Sequence, residues 1–144
     1  MPGRSSYDYA ILRVMPDVER GERVNVGVIL ICHQRRFLGM RVGLDQARVL
    51  ALAPDLDLAL VRDYLAGLER ICAGDTQAGP IAALSQAERF HWLVAPASGA
   101  IQPSPVHTGL CARPETTLNS LFARLVLPSG VRGPETPQHA QRAD

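Results

Sequence analysis

The segment PSPVHTGLC, residues 103–111, contains the residues best suited to chemistry. His107 stands four positions before Cys111. An imidazolium next to a thiol stabilises the thiolate, so a nucleophilic Cys–His pair is one hypothesis for this segment. Four residues of loop do not force the two side chains to meet, however. Cys111 followed by Ala112 is equally typical of a small buried residue just before a helix.

The same segment also allows a binding interpretation. Gly109 follows Thr108, and glycine permits a turn whose successive backbone amides point at an anion or a carboxylate. With Ser104 at its start, the turn SPVHTG is predicted to be an exposed binding determinant. A structural use, in which the turn binds another part of the same chain, remains open.

A second polar cluster lies in the stretch ERGERVN, residues 19–25. Arg20 and Glu22 fit a solvated turn, but Asn25 begins a very apolar strand and needs hydrogen-bond partners if it is buried. These three residues and His107 could line one polar pocket, in which Glu22 would be an alternative catalytic partner for His107. Nothing in the spacing requires that they meet.

Several kinds of chemistry are excluded by composition. The chain contains no lysine, which excludes a Walker-type phosphate loop, a Schiff base and the usual catalytic lysine of kinases. Cys32, His33, His107 and Cys111 are zinc-ligand types, but neighbouring residues of a strand point to opposite faces. We therefore expect no metal site and no cofactor.

Size and charge indicate a small globular protein without a strong electrostatic field. The chain has 144 residues, a formal net charge of +1 and 5% aromatic residues, which makes generic binding to nucleic acid or anionic membranes unlikely as a function. Three cysteines without CxxC spacing, and no apolar run near the ~20 residues that span a bilayer, predict a cytoplasmic protein with reduced thiols.

Hydrophobic periodicity predicts an α+β fold. Apolar alternation indicates an antiparallel β-meander with strands at about 7–14, 24–32 and 37–44. Helical spacing and capping residues predict three to four covering helices at about 45–53, 57–73, 85–95 and 114–126. Residues 96–105 are predicted to be loop, with a possible short strand at 99–102.

The domain boundaries follow from the same pattern. Residues 7–127 are expected to form one globular domain after a flexible N-terminus, residues 1–6. The tail, residues 128–144, has almost no apolar content and is predicted to be disordered.

Several stretches match a known pattern, in order, from about residue 7 to residue 126: YDYAILRV, ERGERVNVGVIL, AGPIAAL with ERFHWL, and SPVHTGL. The chain resembles an uncharacterised bacterial family catalogued as domain of unknown function 3037. The resemblance implies a small cytosolic bacterial protein with no assigned reaction, cofactor or catalytic residue. Members of the family often lie beside genes for HipA-like kinases, which implies an accessory or regulatory role with such a partner.

Three functional hypotheses result. The leading one is a non-catalytic interaction or regulatory module, with ERGER and SPVHTG as the exposed determinants. The second is a small hydrolase or transferase that uses His107 with Cys111 or Glu22. The third is weak nucleic-acid binding through Arg35, Arg36 and Arg41.

Overall fold

The computed structural model of the protein describes residues 3–97 and 99–128. Strand β1 (Ser5–Val14) pairs antiparallel with β2 (Val24–Cys32), and β2 pairs antiparallel with β3 (Phe37–Val42). The predicted meander is therefore confirmed. β1 begins at Ser5, two residues before its predicted start.

Two further strands lie along the other edge of β1. β4 (Ile101–Pro103) pairs with residues 12–14 and β5 (His107–Cys111) with residues 5–9, both antiparallel. The prediction that the HTGLC stretch belongs to a loop is wrong. Its few residues carry no apolar alternation, and β1, about a hundred positions earlier, supplies the ladder that makes them a strand.

Four α-helices complete the fold, and each matches a predicted helix: α1 (Gln46–Leu52), α2 (Leu58–Ala73), α3 (Gln86–Leu93) and α4 (Pro114–Leu125). Asp45 and Asp57 cap α1 and α2 by accepting backbone N–H groups. Ser85 and Glu88 form the predicted capping box of α3. Gly74 ends α2 in the left-handed conformation, with φ 79°.

The sheet separates two hydrophobic cores. On one side, α1, α2 and α3 pack against Ala10, Leu12 and Val14 of β1 and their neighbours. On the other side, α4 packs against residues that include Tyr7 and Leu30. We call these sides the three-helix face and the one-helix face.

A β-bulge in β2 changes which residues point to each face. The register passes from Leu12 opposite Gly27 to Arg13 opposite Asn25, so Val26 is the extra residue. As a result, Val24 and Val26 join the three-helix core together with the later Ile29 and Ile31. β2 is buried on both faces over nearly its whole length, as its composition predicts.

Of the predicted tail, residues 128–144, only Pro128 lies within the described residues. Within the described part of the chain, no helix is long and apolar enough to cross a membrane.

Candidate functional site

The β1–β5 half of the one-helix face is only partly covered. α4 packs on β2 and β3, and beside it Tyr9 and Ile11 are half-buried while His107 is exposed. Tyr9 and His107 are cross-strand partners whose ring centroids lie 5.2 Å apart. His107 therefore stands at the surface of the sheet, against an aromatic ring.

Ser104 and Thr108 hold the β4–β5 segment onto β1. The buried Ser104 accepts the Ile11 N–H at 2.8 Å through its Oγ and donates to the Pro105 carbonyl at 2.8 Å. Thr108 Oγ1 donates to Asp8 Oδ1 at 2.8 Å. Both side chains have structural partners, which is the alternative that the sequence left open.

Gly109 is required by the ring of Tyr7. The two residues are cross-strand partners, and a Cβ added at Gly109 would lie 2.7 Å from Tyr7 Cζ and Oη. Gly109 is not among the described glycines with positive φ. The predicted turn of amides at Thr108 and Gly109 therefore does not form, because both residues belong to the β1–β5 ladder.

His107 and Cys111 do not come together. They occupy the two ends of β5, and four residues of extended strand span about 13 Å. Cys111 is 1% exposed and packs in the core under α4, whereas His107 is exposed. A nucleophilic Cys–His pair is not present in this arrangement.

The environment of Cys111 also favours the neutral thiol. Burial raises its pKa above the usual value, and the neighbouring Cys32 acts in the same direction. Thr117 and Arg35 act in the opposite direction but do not reverse the shift. A buried and protonated thiol is a poor nucleophile.

The charged residues of the β1–β2 connection bind each other. Arg20 and Glu22 form an ion pair of 2.9 Å, with side chains 65% and 53% exposed. The connection follows Val14, five residues along β1 from the partner of His107, which corresponds to about 17 Å of strand. Glu22 is thus out of reach of His107.

Asn25 has a structural partner at the end of α4. Its Nδ2 donates to the Leu125 carbonyl at 2.9 Å, which satisfies one of the carbonyls left free at a helix C-terminus. Arg20 and Glu22 pair with each other, Asn25 bonds to Leu125 and His107 packs on Tyr9, so the four residues that could have lined one polar pocket do not share a site.

The outer edge of β5 is the most accessible feature of this region. Among the described strands, β5 pairs with β1 alone. Two apolar side chains are exposed along it, Val106 (44%) and Leu110 (55%). An edge strand of this kind presents unpaired N–H and C=O groups to which another strand can be added.

A cluster of arginines lies at the end of the sheet where β2 turns into β3. Arg35 and Arg36 share a cavity of about 470 Å³ with Arg113, which directly precedes α4. Arg41 is placed elsewhere: its guanidinium lies 4.4 Å from the centroid of the Phe122 ring and donates to Asn119. Arg35 and Arg36 stand out in the sequence as an adjacent pair, whereas Arg113 comes much later in the chain and only the fold brings it to them.

Metal binding finds no support in these residues. Within residues 3–97 and 99–128, no group of three or more histidine, cysteine, aspartate or glutamate side chains is placed to hold an ion.

Comparisons with known proteins give one match. No curated protein and no solved structure matches the chain. The family model described as Protein of unknown function (DUF3037) matches residues 9–126, which confirms the resemblance seen in the four sequence stretches. Because this match covers most of the 144 residues, the chain belongs to the DUF3037 family.

Proposed function

We propose that the protein is a non-catalytic regulatory module that binds a protein partner along β5. The observation that carries the proposal is the outer edge of β5, unpaired among the described strands and flanked by the exposed side chains of Val106 and Leu110. A partner strand added there would gain main-chain hydrogen bonds, and pockets for alternate side chains would give it specificity.

Other features of the region support binding over catalysis. The best nucleophile candidate, Cys111, is buried, and its pKa is raised. Ser104 and Thr108 are engaged with β1. The side chain left accessible next to the edge is His107, whose ring packs on Tyr9 and adds an aromatic surface for a partner to contact.

The proposed partner is a HipA-like kinase encoded nearby, as the family resemblance implies. A strand added along β5 would contact His107 on the one-helix side of the sheet and Leu110, the cross-strand partner of Ser6, on the other side. The module would then act as an accessory subunit that controls the kinase by occupying one of its surfaces.

The test uses two exposed leucines on different elements. Leu110→Arg places a bulky charge beside the β5 edge, while the matched control Leu60→Arg changes a 65% exposed leucine on α2. Each variant is co-expressed with the kinase, and affinity is measured by calorimetry on the purified proteins. Leu110→Arg should weaken binding at least tenfold, because apolar contact is lost and a charge is desolvated.

Thermal unfolding of both variants checks that the fold is intact. If the wild-type protein does not bind the kinase, the named partner is wrong. If it binds and Leu110→Arg and Leu60→Arg have the same affinity as wild type, the β5 edge is not the binding surface.

A further inference from the structure

A concave basic surface lies where the β2–β3 hairpin meets the beginning of α4. We call it the arginine pocket, after the three arginines that line it, Arg35, Arg36 and Arg113. Phe37, Ala112 and residues 114–116 complete the lining. Three arginines from two distant parts of the sequence therefore line one cavity.

No described carboxylate neutralises these arginines. Among the described residues, the ion pairs are Arg20–Glu22 and Arg70–Asp75, both elsewhere. Glu115 lines the cavity but forms no ion pair with any described arginine. Like charges around one cavity repel each other, so a bound anion is stabilised there.

The donors of the pocket are partly oriented and largely free. Arg35 donates from Nε to Ser5 Oγ at 2.9 Å and from one terminal nitrogen to the Gly3 carbonyl at 2.9 Å. These bonds hold its guanidinium in place and leave its other terminal nitrogen available. Within the described part of the chain, the side chains of Arg36 and Arg113 make no hydrogen bond, so both of their planar forks can bind a ligand.

The backbone of Arg36 is strained. With φ 52°, it is the one described residue other than glycine with a positive φ. A turn position of this kind usually holds glycine or asparagine, since other side chains clash there. Arginine at this position lines the pocket at a cost in conformational energy, and such strain is common at binding sites.

We propose that the arginine pocket binds the phosphate group of a phosphomonoester. Three arginines against the single Glu115 leave an excess of two positive charges, which matches the charge of a phosphomonoester near neutral pH. Guanidinium forks bind pairs of phosphate oxygens in a bidentate manner. The cavity is larger than a phosphate group, so it has room for part of the molecule that carries the ester.

The experiment titrates the full-length protein with two phosphomonoesters at low ionic strength. O-phosphoserine and AMP are the probes, and serine and adenosine are the matched ligands without phosphate. Calorimetry should detect both phosphorylated ligands and neither of the others. Equal affinities would show that the phosphate alone is recognised, and a preference would identify the kind of molecule that carries it.

Variants separate charge from folding. Arg36→Ala and Arg113→Ala should each weaken binding about tenfold, as expected for one lost charge-assisted contact. Arg124→Ala, in the last turn of the same α4 helix, should leave the affinity unchanged. Arg36→Gly removes the guanidinium but accepts the positive φ, so it should weaken binding with an unchanged or higher Tm.

Three results would overturn the proposal. These are no binding of either phosphorylated ligand, whether or not a single-stranded oligonucleotide binds, an equal affinity for sulfate, and an equal loss of affinity in Arg124→Ala. The inference goes beyond the proposed function and does not depend on it. It is measured without a partner, so its failure and the failure of the proposed function are distinguishable.

Discussion

The three-helix face and the one-helix face bury the residues of the same strand to different extents. Ala10, Leu12 and Val14 of β1 are 0% exposed beneath α1, α2 and α3. Tyr9 and Ile11, which alternate with them, are only half-buried. One strand therefore anchors the main core on one side and forms an accessible surface on the other.

The cause is the number of covering helices. α4 has 12 residues and packs mainly on β2 and β3. On the β1–β5 half of its face, Tyr7 and Cys111 are buried, but Tyr9, Ile11 and His107 are left beside solvent. Side chains that contribute most to stability should lie on the three-helix face. Those available to a partner should lie where no helix covers the sheet, such as His107 on the one-helix face and Leu110, which pairs with Ser6 and points to the other side of the sheet.

The largest expected effect is the loss of a core side chain on the three-helix face. Leu12→Ala should lower the free energy of unfolding by about 2–5 kcal/mol, because it removes buried methyl groups and leaves a cavity. Its control, Ile11→Ala, changes the next residue of the same strand on the opposite, half-buried side. Urea denaturation measures both, and equal losses would contradict the difference between the faces.

A second prediction uses Cys72, a buried thiol of the three-helix core. Burial raises its pKa to about 12, and the nearby Arg89 opposes this shift only in part. The folded protein holds the Cys72 proton more tightly than the unfolded chain does. The contribution of this protonated thiol to stability is therefore fully present below the unfolded-state pKa, near 9, and is lost as the pH rises toward 12. The slope should reach at most about 1.4 kcal/mol per pH unit.

Denaturant unfolding at several pH values between about 8 and about 11 tests this pH dependence of stability, with Cys72→Ala as the comparison. The variant should be less stable at pH 8 but should lose less stability as pH rises. Equal slopes in the two proteins would show that Cys72 does not contribute to the alkaline transition.

The smallest effect on stability is expected at His107, in the part of the one-helix face that α4 leaves exposed. His107→Ala removes an exposed side chain that packs on Tyr9 across the strand pair. The loss in unfolding free energy should be below about 1 kcal/mol, which is typical of a single cross-strand pair. A loss as large as that of Leu12→Ala would mean that His107 belongs to the core.

Local signals were sufficient to predict most of the fold. The capping residues Asp57 and Ser85 and the alternation of β1 act over a few positions, and the elements they predict are present. β5 was missed because its hydrogen-bond ladder is formed with β1, and because Gly109 is explained only by the ring of Tyr7 that packs against it. Neither partner can be identified from five residues of local sequence.

The candidate sites were harder to predict for the same reason. His107 was singled out from its residue type, but its neighbour in space is Tyr9 rather than Cys111. The arginine pocket joins Arg35 and Arg36 to Arg113, and only the packing of α4 beside the hairpin makes them neighbours. Residue type indicates which interactions a side chain can make, whereas long-range pairing decides which residues lie close enough to be its partners.

The central position of β1 has a consequence for synthesis on the ribosome. β1 emerges before the other described strands, yet one of its edges is completed by β4 and β5, with Ile11 bonded to Ser104 across 93 positions of sequence. β2 and β3 can pair with it early, but its other edge must wait for the last third of the chain. During this interval a nascent chain exposes an unpaired strand edge, which can pair with other chains. The rate of translation through the helical middle of the protein therefore sets how long each new molecule remains open to misassembly.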